Sequence, residues 1–254
     1  MATMSTFDGL IWLVLMLLPL IFLQRKFHRE LQAIFLILTT RADLTIVAFA
    51  LIFFPGVLLH ELSHFLMAKI LFVQTGGFSL IPSSQPDGKL RLGSVEVAKA
   101  DLLRDSIIGA APLIAGGIFI SYAAVSPLNL LPLWSALRLV DFPTFWTGFF
   151  SLPAQPDFWL WAYLTFTVSS MMLPSESDRH AWLPLGGIIA VLLALAIFAG
   201  QGDWMLANLA PPLNIFFRSV ATIFGLSAAA HGLFLAPLLL LHKGATRLTG
   251  RDIQ

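Results

Sequence analysis

Charged side chains are too scarce in this chain to coat a water-facing surface of its size. The 254 residues include 15 Lys and Arg and 14 Asp and Glu, or 11%, where soluble domains carry roughly 25%. Apolar residues make up 57%, with 22 Phe and 7 Trp among them. Such a chain folds against hydrocarbon, as an all-α polytopic membrane protein whose first partner is the lipid bilayer. A net charge of +1 excludes a nucleic-acid partner, which needs a basic face. The apolar excess excludes disorder. With no Cys, disulfides, thiolate metal sites and Cys nucleophiles are excluded together. Any metal would be held by His, Asp or Glu.

A spanning helix needs about 20 apolar residues. The sequence predicts six spans, at 7–23, 44–73, 107–125, 158–173, 181–199 and within 213–241. The first lacks the basic start and the small-residue cleavage site of a signal peptide. A basic stretch at 24–30 follows it, and the apolar run 31–40 is too short to span, so it reads as interfacial or re-entrant. Asp43 is the expected N-cap of the second span, and Pro55 beside Gly56 predicts a kink there. Gly109, Ala110, Ala111, Ala115, Gly116 and Gly117 let the third span approach its neighbours closely. Between the second and third spans, alternating runs at 77–81 and 89–97 flank an Asp87-Gly88 turn, the pattern of a small β-hairpin. Residues 126–157, with Trp134 and Trp146, read as an interfacial segment.

Inside the second span stands His60-Glu61-Leu62-Ser63-His64. Residues four apart share a helix face, so both imidazoles can reach one ion while Glu61 contacts a water beside it. Composition alone would produce this H-E-x-x-H pattern in roughly two of every thousand such chains. Ionisable groups at membrane depth are expensive and functional by default, which favours a metal site over incidental interhelical hydrogen bonding. Zinc suits imidazole and carboxylate ligands. A third ligand must arrive at the same depth. His60 lies about 24 Å along its helix, and the fourth span runs in the same direction, ending at 171–180. Asp178, Glu176 and His180 are the ligands available there, and Pro174 ends the regular helix before them.

H-E-x-x-H on a membrane helix, followed by a Pro-then-Asp element on a later parallel helix, resembles the site-2 protease family of intramembrane zinc metalloproteases. Ala111-Pro112-Leu113 is similar to that family's Gly-Pro-containing helix start, and the hairpin falls where the family places a membrane-associated β-element. The resemblance covers residues 44–180. It implies Asp178 as the third zinc ligand, although Met171 stands where the family has Asn, and Ser177 and Arg179 replace the Leu and Gly that flank the Asp. The chain then divides into an N-terminal helix and interfacial segment (1–43), a metalloprotease core (44–180) and C-terminal helices (181–254), all one membrane domain.

The expected function is an intramembrane zinc endopeptidase that cuts within or next to the transmembrane segments of substrate proteins, with one Zn²⁺ held by His60, His64 and Asp178. Glu61 would be the general base. Ionised Glu61 and Asp178 would neutralise the ion, the cheapest arrangement at such depth. The alternative is a non-proteolytic metal-binding membrane protein, a transporter or a chaperone-like relative. The positive-inside rule puts the metal side in the cytoplasm of a bacterial-type plasma membrane, because Lys89, Arg91, Lys99, Arg104, Arg179, Lys243, Arg247 and Arg251 then lie inside; Arg25, Lys26 and Arg29 conflict with it. The hairpin edge could pair with an unwound substrate strand. Of the remaining polar residues, His231 reads as an interhelical hydrogen-bonding group, His28 and His242 as solvated, and Arg218 as snorkelling.

Overall fold

The computed structural model describes residues 8–84 and 90–251. Its framework is helical: α1 (Asp8–Thr39), α2 (Ala42–Ile70), α3 (Leu102–Val125), α4 (Leu131–Arg138), α5 (Phe142–Ser151), α6 (Phe158–Met171), α7 (Trp182–Ala196), α8 (Gly202–Asn208) and α9 (Ala210–Thr249). Among the described residues, five stretches are long and apolar enough to cross a membrane: α1, α2, α3, Trp182–Asn208 and α9. The protein is a membrane protein. The expected segment 158–173 is the difference from six, for its helix α6 has only 14 residues, about 21 Å. Pro174 limits it on one side and the left-handed Asp157 (φ 56°) on the other.

Two other expectations are corrected. The basic stretch 24–30 does not end the first helix, and 31–40 is no separate re-entrant piece; both lie within the 32-residue α1. Arg25 and Arg29, four apart on one face, are exposed while Phe27, Leu31 and Ile34 are buried on another. A helix satisfies its own backbone, and this amphipathic arrangement carries it past the charges. Likewise α2 begins at Ala42 with Arg41 at its cap and continues through Pro55. Asp43 lies in the first turn and pairs with Arg41 at 2.5 Å rather than capping.

Helix α9 runs parallel to α1. The Asp8 carboxylate accepts from Arg218 and from Asn214, Glu30 Oε2 lies 2.5 Å from His242 Nδ1, and Arg251 donates to the Ile37 carbonyl at 3.3 Å. Residue numbers rise together along both helices. Arg218 is thus ion-paired instead of snorkelling, and His242 is engaged by a buried carboxylate instead of solvated. His28 is not solvated either: its ring packs edge-on against Phe49 and Phe53, with centroids 5.2 and 5.0 Å away. His231 is fully buried and makes the interhelical hydrogen bond expected of it, to Ser170.

Two apolar clusters join the helices around the site. Phe27, Phe49, Phe53, Phe166 and Leu235 form one, and Leu20, Ile120, Val168, Met172 and Phe224 the other. The expected hairpin is present as β1 (Thr75–Ser79), β2 (Ser83–Ser84), β3 (Leu90–Arg91) and β4 (Ser94–Val97), antiparallel in two short ladders, β1 with β4 and β2 with β3. Its Asp87-Gly88 turn lies outside the described residues. The segment 126–157 folds into α4 and α5 and a short 3₁₀ turn, with Trp134 and Trp146 about half exposed.

Candidate metal centre

Helix α2 carries His60, Glu61 and His64, and their spacing puts the two imidazoles side by side, with Nε2 atoms 3.2 Å apart. Each ring is oriented from behind by a backbone carbonyl. His60 Nδ1 lies 2.6 Å from the Met171 carbonyl of α6, and His64 Nδ1 lies 2.8 Å from the Ile108 carbonyl of α3. A carbonyl only accepts, so both Nδ1 atoms carry the proton. In the neutral rings both Nε2 lone pairs then point forward, into the same space.

The turn after α6 brings Asp178 to that space. Its Oδ1 is 3.4 Å from His64 Nε2 and its Oδ2 is 3.7 Å from His60 Nε2. The Ser175 amide and hydroxyl donate to Oδ2 at 2.7 and 2.6 Å and set the carboxylate's orientation. Burial opposes charge on Asp178, and the two donors from Ser175 favour it. Three acceptor atoms from two elements thus converge, and acceptors at such distances repel unless a proton or a cation joins them. Among the described residues, His60, His64 and Asp178 form the group able to hold a metal ion. The site is not sealed by protein: the side chains of His60 and Asp178 are 16% and 17% exposed.

The other residues available near Asp178 go elsewhere. His180 is largely exposed, with Nε2 3.7 Å from Asp105, and Glu176 is exposed outside the cluster. Glu61 stands next to His60 on α2, within electrostatic range of both imidazoles and Asp178. The β-hairpin covers it: a Cβ built on Gly93 would lie 2.7 Å from Glu61 Cγ and 2.9 Å from Oε1. Replacing Gly93 by Ala is expected to push the Glu61 carboxylate aside and leave the three-residue cluster untouched. Because the neighbour is a flexible side chain, stability should fall by no more than about 1–3 kcal/mol, the cost of overpacking. An unchanged thermal midpoint would show that Glu61 yields without cost.

Sequence reasoning missed Gly93, Ser175 and the two carbonyls that orient the imidazoles, and it had Gly109 as a point of close approach without its partner, Asp178. One signal was readable. Pro174 lacks an N–H, so a carbonyl four residues earlier had to find another donor, but the sequence does not say which. No protein-family model, curated protein or solved structure matches the chain.

Proposed function

We propose that the protein is an intramembrane zinc endopeptidase acting on the transmembrane segments of other membrane proteins. One observation carries the reading: the Nε2 atoms of His60 and His64 lie 3.2 Å apart and face the Asp178 carboxylate, whose Oδ1 is 3.4 Å from His64 and Oδ2 3.7 Å from His60, with the back of each ring already occupied. Tetrahedral zinc with ligands at about 2.0–2.1 Å separates them by about 3.3 Å. Two neutral imidazoles and one carboxylate suit zinc and leave its fourth position open. The carbonyls on Nδ1 are the outer-shell partners that such ligands use to hold tautomer and ring orientation.

When bound, zinc supplies a Lewis acid that polarises the scissile carbonyl and acidifies the attacking water. The protein's own groups do the rest. Glu61 accepts the proton of the water as its oxygen bonds to the carbonyl carbon, and returns it to the amine nitrogen as the C–N bond breaks. A binding site without chemistry needs no such base, so an intact Glu61 beside the cluster favours hydrolysis over a purely metal-binding role. The resemblance of residues 44–180 to site-2 proteases supports the same class. The free edges of the hairpin offer backbone groups to an unwound substrate strand.

The metal-bearing end is read as cytoplasmic, in a bacterial-type plasma membrane. Arg91, Lys99, Arg104 and Arg179 favour this reading. Lys243, Arg247 and Arg251, expected on the same side, do not: α9 runs parallel to α1 and Arg251 reaches the Ile37 carbonyl, at the end of the bundle away from His60 and His64. Arg25, Lys26 and Arg29 lie within α1 and not in a loop, and the rule counts loop charges.

The test is metal content and cleavage measured together on purified protein reconstituted in lipid. Wild type should hold one zinc per chain and cut a transmembrane reporter, and a chelator should abolish both. Asp178→Ala should lose zinc affinity by at least ~100-fold, beyond the ~10–100-fold of an outer-shell loss, and cleavage with it. Stoichiometric zinc without cleavage of any transmembrane reporter would favour the metal-binding alternative. Absence of zinc from wild type would sink the reading altogether.

A further inference from the structure

The end of α6 is where helical hydrogen bonding fails, and the metal centre is built on that failure. In an α-helix the carbonyl of residue i accepts from the N–H of residue i+4. Pro174 has no N–H, which leaves the Ser170 carbonyl without a helical donor. The next donor, the Ser175 N–H, is turned to Asp178 Oδ2 at 2.7 Å, which leaves the Met171 carbonyl without one too. A buried carbonyl left unmet costs about 1–3 kcal/mol. Here both are met by side chains of other helices. Gln24 Nε2 of α1 donates to the Ser170 carbonyl at 2.5 Å, and His60 Nδ1 of α2 donates to the Met171 carbonyl at 2.6 Å.

Ser170 is held a second time. Its hydroxyl lies 2.9 Å from His231 Nε2 of α9. The other ring nitrogen, Nδ1, lies 2.8 Å from the Ser227 carbonyl and therefore carries the proton, so Nε2 accepts from the Ser170 hydroxyl. Ser170 and His231 are 1% and 0% exposed, so no water competes for these bonds. Thus α1 and α9 grip one residue from two sides, and the adjoining carbonyl sets the ring of His60.

We propose that Gln24 and His231 are positioning residues of the metal centre. By fixing Ser170 they keep the Met171 carbonyl on His60 Nδ1, which keeps the Nε2 lone pair of His60 aimed at the ion. The proposal rests on the metal reading of the site and is independent of whether the protein cleaves peptides. Simple helix-to-helix adhesion does not require this arrangement. The same α1–α9 pair is already tied at Asp8–Arg218 and Glu30–His242, ion pairs formed between α1 and α9 alone.

The experiment is zinc affinity by chelator competition on full-length protein in lipid nanodiscs, with thermal midpoints recorded in parallel. Gln24→Leu and His231→Phe should each raise the zinc Kd by about 10- to 100-fold, the range of lost outer-shell partners. His231→Gln, whose amide oxygen can accept from the Ser170 hydroxyl, should restore most of the affinity. Glu30→Gln, which weakens the same helix pair away from α6, should lower the thermal midpoint and leave the zinc Kd unchanged. A wild-type Kd in either Gln24→Leu or His231→Phe overturns the proposal, and so does an equal loss of affinity in Glu30→Gln. If Gln24→Leu does not fold, His231→Phe and its Gln counterpart carry the same comparison. Should wild type bind no zinc, it is the metal reading that fails, and that outcome is separate from all of these.

Discussion

Glu61→Gln is expected to keep a full equivalent of zinc and to lose cleavage by about 10³-fold. The change is nearly isosteric, and Glu61 is outside the ligand cluster of His60, His64 and Asp178, so the metal keeps its three protein ligands. On the proposed mechanism, what disappears is the ability to take a proton from water and hand it to the leaving amine, a contribution of about 10²–10⁴ for a positioned general base. Metal analysis and a reporter-cleavage assay on one preparation read the two halves separately. Cleavage within about tenfold of wild type would remove Glu61 from the mechanism, whatever the zinc content. Loss of zinc as well as cleavage would mean that Glu61 acts on the ion's coordination instead.

A matched pair of glycine substitutions on one helix is expected to give opposite results. A Cβ on Gly109 of α3 would run into the backbone carbonyl of Asp178, and backbone cannot swing aside as a flexible side chain can. Gly109→Ala must therefore displace the turn that delivers Asp178. We expect destabilisation of about 1–3 kcal/mol, typical of overpacking, and a loss of zinc affinity approaching that of Asp178→Ala. Gly117, eight residues further along α3, has room: its added Cβ would meet Ile223 Cδ1 at 3.6 Å, an ordinary contact. Gly117→Ala should be neutral or stabilising by up to about 1 kcal/mol, because Ala is the better helix former. Thermal denaturation and zinc competition on both variants decide it. Equal behaviour of the two would mean that small residues in α3 serve only general helix propensity, and that the approach of α3 to Asp178 has no bearing on the site.

The parts of the site that lie within one element were legible in the sequence. His60, Glu61 and His64 share a turn of α2, where the helical period alone fixes which side chains face one way. The hairpin was legible for a similar reason, since alternation and turn residues are local signals. Asp178 was reachable by two non-local arguments, the depth to which successive spans return and the family resemblance, but depth alone left Glu176 and His180 beside it. The structure separates them: Asp178 turns toward the imidazoles, anchored by Ser175, while His180 turns to Asp105. The sequence misled at residues 24–40, where a charged stretch suggested a break. A helix needs no neutral sequence to continue when Arg25 and Arg29 stand on an exposed face and the one buried carboxylate, Glu30, is met by His242 of α9.

Read alone, the sequence determined the solvent, the helical class and the placing of two His and a Glu on one turn of helix, because these depend on composition and on short periods: few charges, long apolar runs, and a fixed spacing. Only the tertiary structure decided what turns those residues into a centre. The carbonyls behind His60 and His64, the close approach of Gly93 to Glu61 and of Gly109 to Asp178, and the grip of Gln24 and His231 on Ser170 all join residues far apart in the chain. For the carbonyls the physical reason is proline: Pro174 at the end of α6, and Pro112 four residues after Ile108 in α3. A helix interrupted by Pro174 must find donors for its last carbonyls, and in a setting poor in water only side chains of neighbouring helices can supply them. Which side chains do so is set by how the helices pack, and no local pattern encodes that.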